Sequence, residues 1–263
     1  MNSVLKSWGW NDFFERHFQM ILLENSIPMI PARIIGEERG QFRIMEQTGK
    51  LSSAELKGVL KKQGTKPTVG DWVVGHPLEG TDRLLITHLL ERQTSLVRRE
   101  AGQEQKFQSL AANVDVVFIV MSANADFNIA RVERFLTVIQ QSGAKACILI
   151  SKIDLAEAPT QYVEELKSLK SDAHVFPVSL VTGFGLDALR ESLIPGTTIA
   201  LIGSSGVGKS SLVNAMSGKS LQLVQEISDN HKGKHTTTGR HLFLIENGVC
   251  VIDTPGIREV GVW

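Results

Sequence analysis

The spacing of apolar positions changes character twice along the 263 residues. In residues 1–25, Phe14, Phe18, Ile21 and Leu22 recur at helical intervals after Trp8, Trp10 and Phe13. This predicts a short amphipathic helix, packed on the body of the protein rather than on a partner. From Ile27 to Leu90 the runs shorten and are broken by Gly36, Gly40, Gly49, Gly64, Gly70 and Gly80. Residues 32–35, 41–45, 58–60, 71–74 and 84–89 read as strands, and five short strands suggest a small β-barrel of the OB-fold type. Residues 93–109 are polar and basic, without apolar periodicity, and read as a linker. Beyond them, 113–121 and 144–150 are near-continuous apolar runs, as in strands covered on both faces. Helical patterns at 129–141, 162–169 and 186–193 alternate with these and with a short strand at 175–178. Such alternation builds a parallel sheet with right-handed crossovers. Residues 197–202 add a buried strand, and 241–245 and 248–252 flank Asn247-Gly248, a hairpin signal that makes them antiparallel neighbours. The expected plan is a helical extension (1–26), an OB-fold-like β-barrel (27–92), a linker (93–109) and a six-stranded α/β domain (110–263).

Composition narrows the choices. Lys+Arg and Asp+Glu are both 28, so no nucleic-acid partner is announced by net charge. One local cluster stands out: Lys50, Lys57, Lys61, Lys62 and Lys66 against the single acid Glu55. It reads equally as an oligonucleotide-binding face of the barrel or as a solvated lysine-rich loop. Cys147 and Cys250 are too few for a zinc quartet and sit in apolar runs, as buried thiols of a reducing compartment do. No apolar run approaches the ~20 residues of a membrane span, and the N-terminus lacks a signal-peptide core, so a cytoplasmic protein with no membrane partner is expected.

The stretch Gly203-Ser204-Ser205-Gly206-Val207-Gly208-Lys209-Ser210-Ser211 fits G-x-x-x-x-G-K-[ST] between an expected strand and an expected helix. Its glycines let successive N–H groups curl toward phosphate oxygens, and the helix N-terminus adds the positive end of its dipole. In such a loop Lys209 reaches the β- and γ-phosphates and the Ser210 hydroxyl ligates Mg²⁺. This points to a nucleoside triphosphate without naming the base.

Ser151-Lys152-Ile153-Asp154 ends a buried strand, where ligands of open α/β sheets bind. A carboxylate at Asp154 can accept from the N1–H and the exocyclic amine of guanine, while the Lys152 stem lies over the base. The stretch resembles the [NT]-K-x-D guanine element of GTPases. Ser179 and Leu180, after the next strand, resemble weakly the S-A-[KL] element that meets the base oxygen. Asp253-Thr254-Pro255-Gly256 matches D-x-x-G, in which Asp253 holds Mg²⁺ through water and the Gly256 N–H meets the γ-phosphate. Between them lies the polar loop 232–239, the expected first switch. One of Thr236, Thr237 and Thr238 should close the Mg²⁺ shell; spacing does not choose among them, and Thr237 is taken. His235 reads as a surface histidine or as a residue that orients the attacking water. The base elements precede the phosphate elements, the reverse of the Ras order, so the domain reads as a circular permutation.

The permuted order, the barrel in front, Gly233-Lys234-His235-Thr236-Thr237-Thr238 and Asp253-Thr254-Pro255-Gly256 together resemble the ribosome small-subunit-dependent GTPase A family, also called RsgA, YjeQ or YloQ. The resemblance covers Ile30 to Trp263. It implies a circularly permuted P-loop GTPase domain behind an OB-fold, hydrolysing GTP to GDP and phosphate with Mg²⁺. It also implies a late role in small ribosomal subunit maturation, contact with rRNA and stimulation by the subunit; a monomeric protein is expected. His235 and Lys209 would then be the catalytic residues, because Ile257 stands where Ras carries its water-orienting glutamine. Ser151 and Leu180 depart from the family pattern and should weaken guanine binding. The family's C-terminal zinc domain is expected to be missing, since the chain stops seven residues past Gly256 without a Cys/His cluster, as a fragment would. The rival readings are an RNA-binding module that uses nucleotide without hydrolysis, and an ATP-dependent enzyme.

Overall fold

The computed structural model describes residues 2–38, 41–99, 107–124, 126–169, 171–204, 206–217 and 240–253. The chain opens with α1 (Ser3–Ser7) and α2 (Asp12–Glu24). Asn11 caps α2 by accepting from Phe13 N and Phe14 N. Phe14 and Phe18, one turn apart, are buried together with Trp10. The Trp10 ring meets Trp72 edge-on at 4.8 Å, which seats the segment on the barrel. The expected packing helix is therefore present.

The barrel is formed by β1 (Ile30–Glu38), β2 (Gln41–Glu46), β3 (Leu51–Leu56), β4 (Trp72–Pro77) and β5 (Arg83–Leu89). It runs β1-β2-β3-β5-β4 and closes by a β1–β4 pairing, with β3 and β5 parallel. Inside it sit Ala32, Ile34, Phe42, Ile44, Ala54, Leu56, Val73, Leu84 and Ile86. One strand was expected in the wrong place. Residues 58–60 belong to a helix, α3 (Gly58–Lys62), and the third strand is Leu51–Leu56. Only Ala54 and Leu56 of that strand face inward, too thin an alternation to read, and no residue of α3 is buried. Within the stretch read as a linker, β6 (Ser95–Arg99) pairs antiparallel with β7 (Phe107–Ala112). Among the described side chains of β6 only Leu96 is buried, and the buried run 110–112 falls only at the end of β7, so no alternation betrays the pair.

The second domain contains β8 (Val116–Ser122), α4 (Ile129–Ser142), β9 (Lys145–Ser151), α5 (Pro159–Lys167), β10 (His174–Pro177), α6 (Leu186–Glu191), β11 (Thr198–Ile202), α7 (Lys209–Ser217), β12 (His241–Leu244) and β13 (Cys250–Asp253). Its strands run β10-β9-β8-β11-β13-β12, all parallel except β12 against β13. Counted from the P-loop strand β11 and wrapped round, that order is 6-5-4-1-3-2, so the sheet is the ordinary doubly wound one with its chain opened elsewhere.

Barrel and sheet are continuous. β1 pairs with β4 over residues 30–33, shifts register between Ile34 and Gly36, and then meets β12 at Gly36↔His241. Beside this join lies Arg33, 1% exposed, whose guanidinium donates to Gly70 O, Trp8 O and Asn113 O and stands 5.2 Å from the Trp72 ring centroid. One side chain thus ties the N-terminal segment, the barrel and the approach to β8.

Candidate nucleotide site

The P-loop begins where β11 passes β8. Gly203 has φ +144°, and a Cβ there would stand 2.1 Å from Val120 O, so only glycine fits. Val207, buried, anchors the middle of the loop in the same cluster as Leu212 and Val213 of α7. Lys209, the first residue of α7, folds its ammonium back onto the loop, donating to Gly203 O at 2.7 Å and Ser204 O at 2.6 Å. Ser210 follows, exposed in the first turn of the helix, with Ser211 beside it.

The base elements stand on β9 and β10, on the far side of β8. Ser151 ends β9 and is buried, its Oγ 2.9 Å from Val207 O and 3.1 Å from Met121 O. The hydroxyl has one proton for two carbonyls, and either bond ties β9 to a neighbour, one of them the P-loop. The serine at this position places its hydroxyl within hydrogen-bonding reach of the P-loop carbonyl. Lys152 adopts φ +57°, a left-handed conformation that a lysine enters at a cost of about 1 kcal/mol. It turns the chain into the 3₁₀ turn Ile153–Leu155, which carries Asp154 exposed at the site's rim. Ile153 N donates to Val178 O, and Val178 N to Ile150 O, so this turn is fastened to the loop after β10. That loop is closed by Ser179, fully buried, which accepts from Thr182 N through Oγ and from Gly183 N through its carbonyl. Leu180 follows Ser179 within this turn and is 37% exposed.

Asp253 ends β13, the strand next to β11 on the other side, with Ala200↔Ile252 in register. The ends of β9, β10, β11 and β13 therefore bring Ser151, Asp154, Ser179, the P-loop and Asp253 to one edge of the sheet. Ser205, His235, Thr236, Thr237, Thr238 and Gly256 lie outside the described residues. Reasoning from motifs missed Arg131, in the first turn of α4, whose guanidinium donates to Ser204 Oγ. Nothing in the local sequence marks it, because its partner lies 73 residues away. The two thiols are remote from this chemistry: burial pushes Cys250 up to about 11 and raises Cys147. Among the described residues, no three His, Cys, Asp or Glu side chains converge as a metal site.

With this geometry in hand, a family model described as RsgA GTPase matches residues 89–263. The chain belongs to the RsgA GTPase family. Its relatives include a Methanosarcina acetivorans protein named small ribosomal subunit biogenesis GTPase RsgA, 45% identical over 213 residues. That match covers 81% of this chain and 58% of the relative. A protein of the same name from Syntrophotalea carbinolica is 39% identical over 271 residues, covering 98% and 73%. Among solved structures, YjeQ from Thermotoga maritima superposes with a TM-score of 0.67 at 26% identity, covering 89% of this chain and 77% of that one. YloQ, described as a circularly permuted GTPase, gives 0.60 at 22% identity and covers 89% and 73%, a likeness of fold. The family is one of GTP-hydrolysing enzymes, and the fold expected from sequence, a permuted P-loop domain behind an OB-like barrel, is the fold observed.

Proposed function

We propose that this chain binds GTP across the edge formed by β9, β10, β11 and β13 and hydrolyses it to GDP and phosphate as part of small ribosomal subunit biogenesis. The observation that carries the reading is the Ser151–Val207 bond, which fastens the base-reading turn to the phosphate-binding loop. Asp154 accepts from the N1–H and amine of guanine. Lys209 leaves the Gly203 and Ser204 carbonyls for the β- and γ-phosphate oxygens, exchanging neutral acceptors for anionic ones. Backbone N–H groups of the loop and the α7 N-terminus hold the remaining phosphate charge.

Ser210, in the first turn of α7, and Asp253, the last residue of the neighbouring strand β13, would supply a hydroxyl and a carboxylate, an oxygen set that suits Mg²⁺ with several waters retained. Bound there, the ion neutralises charge on the transferred phosphoryl group. Thr237 joins that set, and His235 orients the water that attacks the γ-phosphate. Phosphoryl transfer asks little covalent chemistry of the protein, so positioning and electrostatics supply the rate.

The partner is the small subunit, through its rRNA. Lys57, Lys61, Lys62 and Lys66 are exposed along α3 and the loop beyond it, and form the RNA-facing cluster of the barrel. Lys50, the remaining lysine of the cluster, lies on the strand side and pairs with Asp82 at the surface. Among the described residues no helix is long and apolar enough to cross a membrane. We place the protein in the cytoplasm, as a monomer, where subunits mature. The test is the GTPase rate with and without purified small subunits. Stimulation is expected, and GTP binding without turnover under both conditions would replace the enzyme by a nucleotide-dependent RNA-binding module.

A further inference from the structure

The loop between β8 and α4 contains a side-chain cluster that belongs to no nucleotide motif. Ser122 Oγ donates to Asn124 Oδ1 at 2.7 Å, and Asp126 N donates to the same oxygen at 3.0 Å. Asn128 caps α4 by accepting from Arg131 N at 2.9 Å. These local bonds set the loop so that Arg131 meets both Asp126 and the P-loop. Its Nη1 donates to Asp126 Oδ1 at 2.8 Å and to Ser204 Oγ, one hydrogen for each acceptor. Asp126 Oδ2 is buried without a partner among the described residues, so Arg131 is the counter-charge of this carboxylate.

Ser204 is thereby held twice. Lys209 holds its carbonyl and Arg131 its hydroxyl. A triphosphate draws Lys209 away to the phosphate oxygens and removes the first tie. The second tie is made to a side chain and does not compete with the phosphates. Arginine suits the task because its planar fork spans two acceptors, where an ammonium would turn toward one.

We propose that Arg131, set in place by Asp126, is a positioning residue for the nucleotide: it clamps Ser204 and keeps the entry to the P-loop in its phosphate-accepting curve once Lys209 has left. The proposal rests on the reading of this loop as the guanine-nucleotide site. It separates Arg131 from a free cation that attracts phosphate at long range, since Asp126 already balances its charge.

The experiment titrates fluorescently labelled GDP and GTP into the wild-type chain and into R131A, R131K, D126N, S204A and R131A/S204A, with steady-state GTPase kinetics and thermal unfolding alongside. For R131A, binding of both nucleotides should weaken about fivefold, the size of one partly exposed charge-assisted hydrogen bond. KM should rise by the same factor with kcat unchanged, because the clamp serves ground and transition state alike. R131K should recover part of the loss and D126N should reproduce part of it. The double variant should bind no worse than either single one, the sign of one shared interaction. Tighter binding in D126N would show that Arg131 acts as a bare charge and would overturn the clamp. So would losses that multiply in the double variant, or a lowered melting temperature at unchanged affinity. A wild-type chain that binds neither nucleotide would sink the site reading itself, and the clamp with it.

Discussion

Replacing Ser151 by alanine removes one oxygen from a site with almost no exposed surface. The hydroxyl has Val207 O and Met121 O within reach at 2.9 and 3.1 Å, and it can satisfy one of them at a time. Deleting it loses a net hydrogen bond of about 1 kcal/mol and leaves a buried carbonyl short of a donor, for a total of about 1–3 kcal/mol. No cavity of consequence forms, because only one atom goes. In a chain of this size that loss lowers the melting temperature by roughly 2–8 °C. Part of it should appear in binding, since Val207 is the buried anchor of the phosphate loop and loosening it costs the order that GTP requires. Differential scanning fluorimetry with and without GDP separates the two shares. The expected result is a lower transition in the free protein and a wider gap to the wild type when GDP is present. An S151A protein with unchanged melting temperature and unchanged GDP affinity would refute the claim that this hydroxyl braces the P-loop.

Asp154→Ala should erase the preference for GTP over ATP, read as competition of the two for a fluorescent nucleotide; a preference that survives would remove Asp154 from base selection. Arg33→Met should destabilise the protein by about 3 kcal/mol in urea unfolding, because three buried carbonyls lose their donor. An unchanged midpoint would show that those carbonyls find other partners. Burial raises the Cys250 thiol from 9.0 to about 11, so folding favours the protonated form. The stability this contributes is complete below the unfolded value and is lost as pH rises through the folded one. Urea midpoints measured from neutral pH to pH 11 should fall over that range in the wild type and fall less in Cys250→Ala.

What could be read in advance followed how much of each element's environment lies in its own sequence. Strands β8, β9 and β11 are covered on both faces, so each shows an unbroken apolar run and its end is easy to locate. The P-loop was legible because its geometry is dictated locally, by glycines at positive φ and by the helix that follows. β3 was not, since it faces the barrel interior through Ala54 and Leu56 alone. Arg33 sits in an alternating strand where a charge reads as outward-facing, yet it is buried; its acceptors are 25, 37 and 80 residues distant. Ser151 and Arg131 belong with it. Their chemistry was visible as residue type, but their roles depend on bonds spanning 56 and 73 residues, which no local period records.

The pairing of Gly36 with His241 has a consequence for the solubility of the second domain. Among the described residues β12 is the outer strand of that domain's sheet, and a bare outer strand offers its free N–H and C=O groups to any other chain that comes near. The bend in β1 brings a strand of the barrel against it. The barrel therefore acts as a lid on an adhesive border. A piece cut to the family-matched residues 89–263 would expose that border, and self-association of such a piece is the natural outcome.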